Sequence, residues 1–158
     1  MLSTENGVRT DTQHSVYLVN KPGILARVVQ RLADRKINIS ALTMMDSTEH
    51  GVLRMVCENP ARVREALADF DLHHSEQTVI TVTLPNRPGA LADVVGRLAS
   101  QHIEVSYAYC TTGAPGGRTV GVFKVSNPQK AIQVLEERKP RRRDTNLPAR
   151  PVARSARK

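Results

Sequence analysis

The sequence contains no tryptophan, and its aromatic residues are Tyr17, Phe70, Tyr107, Tyr109 and Phe123. So few rings argue against a sheet that reads single-stranded nucleic acid by stacking bases on aromatic side chains. The two cysteines, Cys57 and Cys110, each sit in an apolar, strand-like run. Their spacing does not suit zinc, and no local helix start or basic neighbour would lower a thiol pKa. Both read as small buried hydrophobes. No apolar run is long enough to cross a bilayer, and no secretory signal is evident. The chain is expected to be soluble and cytoplasmic. Neither a G-x-x-x-x-G-K-[ST] loop nor a G-x-G-x-x-G fingerprint occurs. His14, His50, His73, His74 and His102 are scattered and expected to be solvated. No catalytic residue, metal or cofactor is expected, so the chain reads as a non-enzyme.

The formal charge of +8 is a property of one segment. Residues 138–158 carry nine basic side chains against Asp144, whereas residues 1–137 hold 14 of each sign and are net neutral. The segment also contains Pro140, Pro148 and Pro151 and few large apolar residues, a composition expected to be disordered. Such a tail attracts phosphate, but it brings no aromatic residue for stacking. It is read as solvated, with nucleic acid not the expected partner. The polar leader, residues 1–14, is likewise expected to be frayed.

What is present is a repeat. Asn20–Ser40 and Asn86–Ser106 align without a gap, with 12 identities in 21 positions at an offset of 66. The loop Asn-x-Pro-Gly recurs as well as the helix after it. In each copy an alternating strand, Ser15–Val19 or Thr78–Leu84, leads into the loop. Leu25, Val28, Val29 and Leu32 then mark an amphipathic helix, as do Leu91, Val94, Val95 and Leu98. Two strands follow, Ile37–Met45 with Val52–Glu58, and Ile103–Thr111 with Thr119–Val125. Asn59-Pro60 and Asn127-Pro128 each start a second helix, the asparagine capping and the proline at the first helical position.

This order predicts an α+β chain of two ferredoxin-like βαββαβ units, antiparallel sheets with helices on one face. The units are placed at residues 15–77 and 78–137. A fourth strand for the first unit is sought within Asp71–Gln77. The second unit lacks its last strand, unless part of the tail near "TNLPA" supplies it at a sheet edge.

The loop has two readings. Pro22 and Gly23 turn the chain from strand into helix, and this turn chemistry alone would explain the motif. Alternatively, Gly23 lets a ligand approach the backbone, unpaired first-turn N–H groups attract a carboxylate, and Asn20 meets an ammonium group or a facing main chain. Asn86, Pro88 and Gly89 repeat the set. Tyr107 and Tyr109 share a strand face nearby, to line a pocket or to pack.

With "LVNKPGIL", "HGVLRMVCENPARVREAL" and "PNRPGALADVVGRLASQHIEVSYAY" in view, residues 15–137 resemble a tandem pair of ACT domains. The resemblance implies non-catalytic regulatory modules that bind amino acids through this loop, at interfaces between paired domains. It places the ligand on Asn20, Lys21, Pro22, Gly23, Ile24 and Leu25, and on Asn86, Arg87, Pro88, Gly89, Ala90 and Leu91. It also implies a homo-oligomer that regulates amino-acid metabolism. The first unit resembles the ACT domain of acetolactate synthase small subunits as well, which implies a biosynthetic enzyme as partner. Those proteins have one ACT domain and a different C-terminal domain, whereas here a second ACT copy follows.

Overall fold

In the computed structural model, residues 7–45, 50–70, 72–113 and 117–137 are described. The chain runs β1 (Val8–Val19), α1 (Ile24–Asp34), β2 (Ile39–Met45), β3 (His50–Cys57), α2 (Pro60–Ala68), β4 (His74–Pro85), α3 (Ala90–Ser100), β5 (Val105–Thr112), β6 (Arg118–Val125) and α4 (Pro128–Glu136). The helices form where their apolar spacing and caps require. Asn59 accepts a hydrogen bond from the Arg62 N–H at 3.2 Å, and Asn127 from the Lys130 N–H at 3.0 Å, with Pro60 and Pro128 just inside each helix. Val28 and Leu32 of α1, and Val94 and Leu98 of α3, face the sheet. Phe70 lies just beyond the end of α2 and takes the guanidinium groups of Arg27 and Arg31 against its ring.

All six strands form one antiparallel sheet in the order β2-β3-β1-β4-β6-β5. Strand β1 pairs with β4 from Val8↔Val82 to Val16↔His74. This corrects two expectations. From Val8 onward the polar leader is the first half of a strand. The stretch before Thr78, read as a separate fourth strand, is the first part of β4. Each long strand therefore serves twice. The order β2-β3-β1-β4 completes one ferredoxin-like unit, and β5-β6-β4-β1 completes the other. The strand that the second unit lacked is the N-terminal half of β1. Thr12 pairs with Thr78, its counterpart at the repeat offset of 66, so the local two-fold of the duplication passes through this pair. The proposed leader residues 1–6 and the basic tail, residues 138–158, lie outside the described residues.

Two apolar cores lie on the same face of this sheet. Val16 and Leu18 of β1 pack with Val28, Leu32, Leu53, Met55, Val63 and Leu67. Val8 of the same strand packs with Ile80, Val82, Val94, Leu98, Phe123 and Leu135. Val8, Val16 and Leu18 are separated by even numbers of residues, so both helix pairs cover one side.

The other side is buried by curvature. Bulges between Ile39 and Ala41 in β2 and between Val105 and Tyr107 in β5 bend the two edge strands. These strands, at opposite ends of the sheet, come into contact, and the Leu42 N–H donates to the Thr111 hydroxyl at 3.3 Å. Ala41, Val56, Val79 and Val122 form a small core in the concavity. Beside it the fully buried Gln13 donates to the hydroxyls of Tyr107 (2.8 Å) and Ser15 (3.0 Å) and accepts from the Tyr109 hydroxyl (3.1 Å). Tyr107 in turn donates to Gln77 at 2.7 Å, and the Arg54 guanidinium lies 3.9 Å from its ring centre. The paired tyrosines thus close the concave face. Burial raises the Tyr109 pKa and keeps its phenol neutral.

Because residues 8–13 complete the second unit, deleting residues 1–13 should lower the melting temperature by about 10 °C or more. Deleting residues 138–158 should leave it unchanged. Thermal melts of the two truncations check this. Equal behaviour would refute the strand exchange as the source of the missing edge.

Candidate functional site

The two Asn-x-Pro-Gly loops follow the C-terminal ends of β1 and β4. Those strands are antiparallel, so the loops stand at opposite ends of the sheet and do not meet within one chain. Their backbones match bond for bond. The Lys21 N–H donates to Val19 O and the Ile24 N–H to Lys21 O, while Arg87 and Ala90 donate in the same way to Pro85 O and Arg87 O. Gly23 and Gly89 precede the helices with φ of 86° and 87°, in the left-handed region that disfavours any residue with a Cβ. A Cβ at either glycine would meet nothing within 4 Å, so backbone conformation, not a close neighbour, sets the residue type. Turn chemistry is therefore satisfied in full. Neither α1 nor α3 has a side-chain cap, and their first turns present N–H groups outward at the positive end of the helix dipole.

Asn20, Lys21, Pro22 and Gly23 are exposed, as are Arg87, Pro88, Gly89 and Leu91; Ile24, Leu25, Asn86 and Ala90 are half-buried. At the second loop, the Asn86 N–H donates to Gly117 O at 2.9 Å and its side-chain amide to Gly113 O at 3.3 Å. The asparagine ties the loop to the β5–β6 hairpin. Between loop and hairpin lies a cavity of 160 Å³, lined by Leu84, Asn86, Arg87, Leu91, Cys110 and Thr119 among others. On the other side of the loop is a larger cleft of 440 Å³ toward α4, bordered by Arg87, Asp93 and Arg97. Arg97 is already committed there, donating to Leu135 O, Val134 O and Glu137 O at the end of α4.

The hairpin residues were not among the sequence candidates. A signal for them existed in the repeat, because the ferredoxin-like order sets the third strand of a unit beside the first. Cys110, expected to be buried, is exposed on this wall. Cys57 is buried as expected, and burial pushes its thiol up to about 11.

One histidine departs from the solvated expectation. His14 is fully buried on β1, and neither ring nitrogen has a hydrogen-bond partner. His14, His74 and Glu76 place ligand atoms within 4.8 Å of one another. However, Arg64 holds the Glu76 carboxylate at 2.5 Å, and a cation here would face that guanidinium. Burial lowers the His14 pKa, against the opposing pull of Glu76; His74 and Arg64 add to the lowering. Among the described residues, no helix is long and apolar enough to cross a membrane.

A family model described as an ACT domain pair matches residues 9–146. A solved protein of Bacteroides thetaiotaomicron shares 32% identity and a TM-score of 0.73, over 82% of this chain and 89% of that one. The regulatory subunit of aspartate kinase from Thermus thermophilus shares 18% identity and a TM-score of 0.60, over 82% and 94%. The same subunit from Thermus flavus shares 19% identity and a TM-score of 0.57, over 82% and 92%. No curated protein matches the sequence.

Two outcomes follow from this geometry. Gly23→Ala and Gly89→Ala should each cost about 1–2 kcal/mol in urea unfolding, from the left-handed φ alone; unchanged stability would show that the loop relaxes freely. Unfolded His14 titrates near 6.5 and takes up a proton that the folded state resists. Its contribution is complete above that pH and is lost as the pH falls below it. Melting temperatures should drop between about pH 7.5 and pH 5.5, and His14→Leu should flatten part of the drop. An identical slope in the variant would assign the effect to other groups.

Proposed function

The chain belongs to the family of ACT domain pairs, and from that premise we propose that it is a cytoplasmic, non-catalytic sensor of an amino acid that regulates amino-acid metabolism. The observation that carries this reading is the duplicated loop. Two uncapped helix starts, each reached through a left-handed glycine, offer N–H groups to a carboxylate. The second of them borders a cavity of 160 Å³. The ligand residues proposed are Asn20, Lys21, Pro22, Gly23, Ile24 and Leu25, and their counterparts Asn86, Arg87, Pro88, Gly89, Ala90 and Leu91. Among the described residues no nucleophile–base pair accompanies the loops, and burial raises the pKa of both thiols.

The loops stand apart within one chain, so contact between copies is the means by which they would be covered. Leu91 and Val95, exposed on α3 beside the second loop, favour a homo-oligomer. A biosynthetic enzyme as further partner is supported by structural neighbours that are themselves regulatory subunits of aspartate kinase.

Isothermal titration of the full-length chain with each of the twenty L-amino acids tests the proposal. At least one should give saturable heat and raise the melting temperature. Failure of all twenty in both assays would remove the sensing function and leave the fold untouched.

A further inference from the structure

The duplication is symmetric in backbone and unequal in side chains at the loops. In the first unit Gly51 lies opposite the loop, and a Cβ there would sit 2.6 Å from the Met44 methyl carbon and 3.3 Å from Asn20 Oδ1. The Met44 thioether therefore lies over Gly51, in the space between loop and hairpin. In the second unit the counterparts are Cys110, at the offset of 66, and Thr119, at the offset of 68. Met44 lies across that glycine while remaining 43% exposed; cysteine is shorter than methionine by two heavy atoms, and Cys110 lines a cavity of 160 Å³ in unit two. Thr119 lines that cavity, is 6% exposed, and its buried hydroxyl has no hydrogen-bond partner. A buried hydroxyl without a partner costs free energy that an incoming polar group recovers.

We infer that only the second loop takes a ligand from solution, a short-chain L-amino acid with a polar side-chain group, and that Met44 is the chain's own occupant of the first. The inference rests on the amino-acid-sensing reading and narrows it. At about 30 Å³ per water the cavity holds roughly five waters, ample room for a short side chain such as that of serine or alanine. The carboxylate meets the start of α3 and the cationic Arg87 on the loop side. The side chain enters between Leu84, Cys110 and Thr119, where the Thr119 hydroxyl gains its missing partner.

L-Serine and L-alanine, which differ by one hydroxyl, are the probes, titrated calorimetrically into the full chain. Serine should bind more tightly than alanine and saturate at one equivalent per chain. Thr119→Val keeps the shape and the β-branch, and should weaken serine roughly tenfold or more while leaving alanine unchanged. Cys110→Met places the first unit's side chain in the second and should abolish serine binding. Melting temperatures of both variants establish that they fold. Two equivalents per chain, alanine matching serine, or unchanged serine affinity in either variant would overturn the inference. Silence toward serine while another of the twenty amino acids binds would also overturn it, with sensing itself intact. Silence toward all twenty would remove both.

Discussion

The antiparallel pairing of β1 with β4 is the contact on which the rest of the structure depends. A ferredoxin-like unit needs four strands, and two units need eight. Here six suffice, because each twelve-residue central strand is long enough to act as the first strand of one unit and the fourth of the other. A unit of about 65 residues buries too little surface to be secure alone. Sharing both central strands removes two sheet edges that would otherwise need protection. Neither unit has a complete sheet without the other, so the two should unfold as one cooperative body. The local two-fold through Thr12 and Thr78 also fixes the loops at opposite ends, since each loop must leave the far end of its own strand.

The same pairing sets the cost of the seam. Between the two helix-covered cores, the residues of β1 and β4 that face the helix side are Thr10, Thr12, His14, His74, Glu76 and Thr78. On the concave side the buried polar residues of these strands are Gln13, Ser15 and Thr81. Around Gln13 the concave-side polarity is matched by partners, although Arg54 Nε and Ser75 Oγ on that side are buried without one. Gln13 uses its amide and its carbonyl on three hydroxyls, and Tyr107 passes the chain on to Gln77. A network satisfied at each of these members favours one arrangement of the curled sheet over others, which a purely apolar concavity would specify less sharply. On the helix side His14 keeps both ring nitrogens without a hydrogen bond, its Nδ1 lying 3.6 Å from the Glu76 carboxylate.

What was legible in the sequence follows from this distribution. The four helices and four of the strands announced themselves because each has one face against a single core, so their apolar residues fall at regular spacing. The asparagine caps were legible for a local reason, since a cap is written within four residues. The first half of β1 was not legible. Its helix-side positions after Val8 are Thr10, Thr12 and His14, and its alternation of apolar and polar residues vanishes just where the strand crosses the seam. Composition alone made it look like a frayed leader. The division between units at residue 77 failed to show as a break for the same reason, since β4 crosses the seam without interruption. The loops were found because their residues repeat, whereas the opposing wall repeats in strand order but not in residue type, and was missed.

That failure to repeat bears on what the duplication preserved. Loop backbones agree to a degree in φ, and helix lengths agree pair by pair, 11 residues for α1 and α3 and nine for α2 and α4. The hairpin facing the loop differs at three positions that touch one another or the loop. Met44, Gly51 and Leu53 of the first unit correspond to Cys110, Thr119 and Gly121 of the second. The glycines trade places. Gly51 makes room for Met44, while Gly121 makes room for Phe123, whose ring would lie 2.8 Å from a Cβ there. Bulk has thus moved from the loop side of the hairpin in unit one to the core side in unit two, with Phe123 fully buried below. The same backbone carries two arrangements, one with Met44 across the loop-side glycine and one with Phe123 beneath the core-side glycine. A backbone shared through β1 and β4 cannot change in one unit without moving the other, so the two ends differ in loop side chains such as Ile24 and Ala90 and in the outer hairpins, whose connection is two residues longer in the second unit. This is why the two ends of a nearly symmetric sheet present different surfaces beside their loops.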